Sequence, residues 1–325
     1  MQDASLDKPS SSGLGFNRGL KRARQADRVF MLAVYASSAL FVLIVLGLFV
    51  ELLSGSWLAL RTFGPAFLWT SHWNPVTNRF GALPLIYGTV VSSAIGIVLA
   101  GLIGIFAAAY LADFANRFLA QPLTFMIEML AAVPSVVFGL WGLFVLAPIM
   151  RNSVDPFLQA KFGFLPIFQG TIYGTSLLTA GVILAIMIVP TVTAISRDVI
   201  KAIPSDLREA SASLGATRWE TMWKIVLPAA RTGIFGALIL ALGRALGETI
   251  AVTMVIGNRP AIAASLFAPA YSLPSVIANE FTEATSDIYL SALIELGLVL
   301  FVVSMIVNGL ARFLTLTVLR PAGGR

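Results

Sequence analysis

Six long runs of apolar residues, separated by shorter polar stretches, dominate the chain. They cover approximately 29–53, 85–111, 123–150, 171–196, 232–257 and 288–315. About 20 mainly apolar residues suffice for a helix to cross the hydrocarbon core. Each run meets that length, so the pattern predicts an all-α membrane protein with six transmembrane helices. The first run is too long for the apolar part of a signal peptide and no small-residue cleavage site follows it, so it reads as a retained helix.

Polar segments between the runs divide unevenly in charge. Residues 1–28, 201–230 and 317–325, with the short turns on the same side, hold sixteen lysines and arginines. The opposite side holds five: Arg61, Arg79, Arg151, Lys161 and Arg259. Basic residues stay on the cytoplasmic side of a membrane. Both termini are therefore expected in the cytoplasm. The domain plan that follows is a cytoplasmic tail and basic elbow (1–28), a first transmembrane helix (29–53), an external loop (54–84), a membrane core (85–316) and a cytoplasmic tail (317–325). The start, "MQDASLDKPSSSGLGFN", lacks an apolar period and reads as a disordered tail. Three external segments, 54–84, 151–170 and 258–287, exceed a minimal turn. The first carries Trp57, Trp69 and Trp73, which suit either interfacial anchoring or docking of an external partner.

The segment "KAIPSDLREASASLGATRWETMWKIVLPAA" (201–230) is too polar to span and too patterned for a linker. Ser205 reads as an N-cap, with Asp206 complementing the positive helix end. Leu207, Ala210 and Leu214 share one face, and Gly215 can take the left-handed conformation that ends a helix. Thr217 and Glu220 form a capping box for a second helix, striped with Trp219, Met222, Trp223 and Val226 and broken by Pro228. Helix–turn–helix on the cytoplasmic face is expected, its exposed stripes needing a cover.

Arg244 and Glu248 lie in the fifth run, in "ALGRALGETIAV". Arg244 is 12 residues past Thr232, about 18 Å along a helix and near the middle of the membrane. A charge there costs roughly 2.5–3.5 kcal/mol on insertion scales and marks a pathway or an ion pair. Spacing of four puts both residues on one face if the helix is continuous, where they can pair. An arginine fork also holds tetrahedral oxyanions, and a nearby carboxylate can accept a hydrogen bond from an oxyanion that is still protonated. Glu128 and Glu295 also fall inside apolar runs. Pro134 and Pro190 predict kinks of the kind that suit gates. Gly243 and Gly247 form a G-x-x-x-G packing motif.

Composition narrows the chemistry further. Of 325 residues 58% are hydrophobic and 12% charged, half the charge of a soluble domain. Without cysteine and with one histidine, His72, the chain offers no disulfide, no thiolate nucleophile and no plausible metal site. There is no G-x-x-x-x-G-K-[ST] to cradle ATP phosphates. An enzyme with its own ATPase site is excluded, and no cofactor is expected in this chain. Nor are there two related halves with interrupted helices, as many secondary transporters have.

The run Glu209-Ala210-Ser211, then Gly215, then Ile225-Val226-Leu227-Pro228 resembles the EAA loop of ABC importer permeases, with Ser211 where that motif has alanine. "GRALGETIAVTMVIGN" (243–258), "FGALPLIYGTVVSSAIG" (80–96), "PSVVFGLWGLFVLAP" (134–148) and "IANEFTEA" (277–284) resemble the phosphate-specific branch of that family. The likeness covers the chain from about residue 20 onward. It implies the type I ABC importer permease fold (MetI-like): one extra helix plus a five-span core. It also implies that Glu209, Ala210, Ser211, Leu214 and Gly215 couple to an ATPase and that Arg244 and Glu248 are the family's intramembrane charged pair. Glu295, Pro134 and Glu128 are further pathway or gate candidates. The implied partners are a PstA-like sister permease, two PstB-like ATPase subunits binding ATP and Mg, a PstS-like external phosphate-binding protein, membrane lipid and a phosphate-signalling regulator. A permease for sulfate, molybdate or phosphonate is the alternative.

Overall fold

The computed structural model describes residues 12–318, and they form helices joined by turns and irregular segments. The chain divides into two units, 1–54 and 55–325. The described residues of the first unit lie in one helix, α1 (Ser12–Gly55). It takes in residues 12–17 of the stretch expected to be a disordered tail. Once a helix has nucleated, each added residue gains a bond for little entropy. Residues 1–11 of the expected tail, and 319–325 of the C-terminal one, lie outside the described residues.

The second unit holds α2 (Trp57–Phe63), α3 (Leu83–Phe114), α4 (Arg117–Ala131), α5 (Ser135–Phe162) and α6 (Leu177–Lys201). Then come α7 (Ser205–Ser213), α8 (Arg218–Leu246), α9 (Ile250–Val255), α10 (Leu273–Glu280) and α11 (Asp287–Val318). Among the described residues six helices are long and apolar enough to cross a membrane: α1, α3, α5, α6, α8 and α11.

Two of these membrane helices differ in kind from the sequence-based expectation. The third begins at Ser135, 12 residues later than the 123–150 run. Residues 117–131 are a separate helix, and Pro134 sits extended (φ −59°, ψ 141°) between α4 and α5, a junction and not an internal kink. Proline drives its predecessor out of the helical region, which ends α4. Pro190, by contrast, lies inside the continuous α6.

The fifth spanning helix begins earlier than expected. Pro228 does not break it, because Met222–Val226 form a π turn and Leu227 N–H reaches Met222 O. The wider turn relieves the clash and missing donor that a proline brings to an α-helix. Two π turns in α5, Gly142–Leu146 and Met150–Val154, likewise end two residues before Pro148 and Pro156.

Helix α8 also ends earlier than expected, at Leu246, and α9 starts afresh at Ile250. The fifth run is thus two helices.

Helices α3 and α6 form the central pair, and small residues let them approach closely. A Cβ on Gly104 would fall 2.8 Å from Val192. Around this pair Phe138, Ile183, Met187, Ile188, Ala241, Val252 and Phe267 form the main buried cluster. A second cluster lies where α3 begins, built from Phe67, Trp73, Phe80, Leu85, Tyr271, Tyr289 and Leu293. A third lies where α3 ends, with Ala108, Ile200, Met222 and Val226. The irregular segment 257–272 satisfies its backbone by folding over the start of α6, where Leu177 and Leu178 N–H donate to Ala268 and Leu266 O at 3.1 and 2.9 Å.

Candidate functional site

The loop between α6 and α8 folds largely by local chemistry. Helix α7 starts at Ser205, with Pro204 and not Ser205 in the capping position and no side-chain cap bond. It ends in a Schellman motif: Gly215 has φ +84°, Gly215 N–H donates to Ala212 O at 2.9 Å and Ala216 N–H to Ser211 O at 3.2 Å. Only glycine takes that backbone conformation without strain. The capping box is present: Glu220 N–H donates to Thr217 Oγ1 at 3.2 Å, and Thr217 N–H donates to Glu220 Oε2 at 3.0 Å.

The apolar stripe of α7 faces outward. Leu207 is 44% exposed and Leu214 90%. Glu209 and Ala210 are exposed as well. Ser211 points the other way: it is buried, and its Oγ lies 2.9 Å from Thr221 Oγ1 on α8. The serine that departs from the EAA pattern therefore ties α7 to α8. On α8 the expected stripe splits, with Met222 and Val226 buried and Trp219 and Trp223 exposed beside Phe114 and Phe106.

The structure separates the two charges of the fifth run. Arg244 lies in the last turn of α8, on the exposed surface of this chain, and its Nη1 reaches Thr191 Oγ1 on α6 at 3.5 Å. No Arg244–Glu248 ion pair exists among the described residues. Glu248 stands past the helix break, half-buried, and its Oε1 accepts from Ala251 N–H at 3.3 Å. The i, i+4 pairing assumed a continuous helix, and Gly247 ends it. A Cβ on Gly243 would lie 3.7 Å from the Asn308 amide on α11, and one on Gly247 would meet only Gly243 O, at 3.8 Å. Arg244 thus lies on α8 beside Thr191 of α6, while its chain neighbour Gly243 faces the polar Asn308 of α11. Sequence reading missed Thr191, whose partner Arg244 lies 53 residues away along the chain.

Other candidates sit apart from this group. Glu128 is on α4, 53% exposed, 3.7 Å from Arg197 Nη2 on α6. Glu295 on α11 is 2% exposed, and its Oε2 finds no hydrogen-bond partner among the described residues. Asp155, which the pattern did not single out, is fully buried, and neither carboxylate oxygen is bonded among the described residues.

At the far end of the molecule the three tryptophans of 54–84 diverge. Trp69 is 74% exposed, and Trp57 is half exposed under the Arg61 guanidinium, 4.6 Å from the ring centre. Trp73 belongs to the core, and its Nε1 donates to Glu280 Oε2 at 2.8 Å. Tyr289 Oη donates to the same oxygen at 2.7 Å. Burial pushes the nearby Tyr271 phenol up to about 12, so it stays neutral while accepting from Asn279 Nδ2 at 2.9 Å.

Residues 100–319 match the family described as "Binding-protein-dependent transport system inner membrane component". A protein of Mesorhizobium japonicum named "Phosphate transport system permease protein PstC" is 45% identical, covering 92% of this chain and 93% of that one. A protein of Pasteurella multocida with the same name is 43% identical, covering 92% of each. Among solved structures, a chain of a bacterial alginate ABC transporter, crystallised with an alginate pentasaccharide-bound periplasmic protein, superposes with TM-score 0.60. It covers 91% of this chain and 98% of that one at 14% identity, a likeness of fold.

Proposed function

The chain belongs to the family of binding-protein-dependent transport system inner membrane components, and from that premise we propose that it is the permease subunit of an ATP-driven importer of inorganic phosphate. The observation that carries the reading is Arg244: a guanidinium in a membrane-spanning helix, exposed on this chain and uncommitted to any carboxylate among the described residues. Its planar fork suits two oxygens of a tetrahedral anion. Both quoted relatives carry phosphate transport in their names, which favours phosphate over sulfate, molybdate or phosphonate.

In this reading Arg244 contacts the anion in transit, with Thr191 beside it. Glu248 keeps Oε1 on Ala251 N–H, so its Oε2 is available to accept from a protonated phosphate oxygen. Phosphate bears protons near neutral pH and sulfate does not, so the carboxylate discriminates between them. Glu295, Pro134 and Glu128 are secondary elements of the pathway or its gates. Gly243 packs toward α11 of this chain, and Gly247, at the end of α8, leaves room for a sister permease.

ATP and Mg belong to a pair of separate ATPase subunits, which grip the exposed α7 through Glu209, Ala210, Leu214 and the Gly215 turn. An external phosphate-binding protein delivers substrate to the opposite end. Closure of the ATPases turns the cavity outward, and hydrolysis resets it. Both termini face the cytoplasm of a bacterial cell. A phosphate-signalling regulator is a further partner of the cytoplasmic face.

Reconstitution with the sister permease, ATPase and binding protein tests the proposal by uptake of labelled phosphate against sulfate. ATP-dependent uptake selective for phosphate, lost in Arg244→Ala, is the expected result. Uptake that persists in Arg244→Ala would overturn the site.

A further inference from the structure

Arg208 is the second residue to bridge separate helices at the α7 end. Its Nε donates to Asp113 Oδ2 at 3.2 Å, Nη1 to Ile203 O at 2.6 Å and Nη2 to Ile200 O at 2.8 Å. Asp113 lies in the π turn that finishes α3, while Ile200 and Ile203 lie at the end of α6. The last carbonyls of a helix have no partners inside it, and a cation there is favoured by the helix dipole. One guanidinium therefore closes the end of α6, pairs with the end of α3 and belongs to α7. Arginine and Asp113 are both about three-quarters buried, with side chains 24% and 23% exposed.

Helix α7 thus has two side-chain ties to the membrane helices, and they pull on different ones. Ser211 connects it to Thr221 on α8, the helix that carries Arg244. Arg208 connects it to α3 and α6, and α6 carries Thr191, nine residues before Ile200 and 3.5 Å from Arg244. Along a helix that is about 14 Å. A displacement of α7 that moved only α8 would leave the Arg244–Thr191 contact uncontrolled. Moving α6 and α8 together, or one against the other, requires both ties.

We infer that Arg208 is a positioning residue for energy coupling: it passes the motion of α7 to α6 and α3, while Ser211 passes it to α8. The inference rests on the proposed reading of α7 as the ATPase-docking helix. It explains why the site needs arginine: a lysine ammonium is a point charge that cannot span three acceptors in fixed directions.

The test is the complete reconstituted importer, with ATP hydrolysis and phosphate uptake measured in the same vesicles. Arg208→Ala is expected to keep the ATPase subunits bound and hydrolysis within about twofold, while uptake per ATP falls about tenfold. Asp113→Asn, which keeps the shape and weakens one arm, is expected to lower the ratio about threefold. Arg208→Lys should recover only part of the loss. Unchanged uptake per ATP in Arg208→Ala overturns the inference. If that variant fails to assemble, an unchanged ratio in both Arg208→Lys and Asp113→Asn overturns it equally. Leu214→Asp separates this from the reading beneath it: if ATPase binding survives Leu214→Asp, α7 is not the docking helix. If binding is lost there and Arg208→Ala stays coupled, only the role of Arg208 fails.

Discussion

Arg244 and Glu248 are four residues apart in sequence, yet a helix end lies between them, and Glu248 Oε1 takes its hydrogen bond from Ala251 N–H in the first turn of α9. The carboxylate therefore has a structural duty distinct from its charge. Glutamine can keep that duty and alanine cannot. Glu248→Gln should leave the unfolding midpoint of the purified complex nearly unchanged, and Glu248→Ala should cost about 1 kcal/mol, the typical value of a lost helix cap. Both should lower selectivity for phosphate over sulfate in uptake competition. Selectivity retained in Glu248→Gln would remove the carboxylate from substrate choice.

Thr191 offers its hydroxyl to Arg244 across the α6–α8 contact at 3.5 Å. Thr191→Val keeps shape and deletes the hydroxyl. The KM for phosphate uptake is expected to rise about fivefold, the worth of one modest hydrogen bond to a charged group. Thr191→Ser should behave as wild type. Identical kinetics for the valine variant would show that Arg244 is held by other means.

Glu295 carries a buried carboxylate oxygen, Oε2, without a hydrogen-bond partner among the described residues. Such a group costs about 1–3 kcal/mol of folding free energy. Glu295→Leu is thus expected to raise the unfolding midpoint. If uptake falls in this better-folded variant, Glu295 serves transport and not packing. A lowered midpoint would mean that the acid is compensated in the folded protein.

Trp73 and Tyr289 share one acceptor, Glu280 Oε2. Tyr289→Phe should cost about 1.5 kcal/mol, as expected for a bond to a charged acceptor. Glu280→Gln should couple to it in a double-mutant cycle, with the pair costing less than the two single changes added. Strict additivity in thermal or denaturant unfolding would place the two groups outside one network.

Apolar run length is a one-dimensional property, so the number of spanning helices was legible from composition along the chain. The α7 turn was legible for a related reason: Gly215 and the Thr217–Glu220 box act within a few residues of themselves. Pairing of Arg244 with Glu248 was misjudged because periodicity presumes that a helix continues, although Gly247 stood between them as a stop signal. Pro134 gave a similar signal for the α4–α5 junction. The π turns leave no periodicity of their own, and only the prolines after them hint at their presence. Contacts such as Arg208–Asp113, 95 residues apart, and Arg244–Thr191, 53 apart, have no local signature at all.

The end of the molecule away from α7 is braced throughout. Phe80 stacks on Tyr289 at 5.3 Å, Trp73 and Tyr289 converge on Glu280, Leu273 N–H donates to Thr89 Oγ1 at 2.8 Å, and Tyr87 Oη donates to Ala263 O at 2.8 Å. A surface anchored by such long-range contacts has little conformational freedom left to lose when another protein lands on it. Association there is governed by collision frequency and mutual orientation, with no ordering step to slow it. Such a face can bind a partner weakly and still be specific.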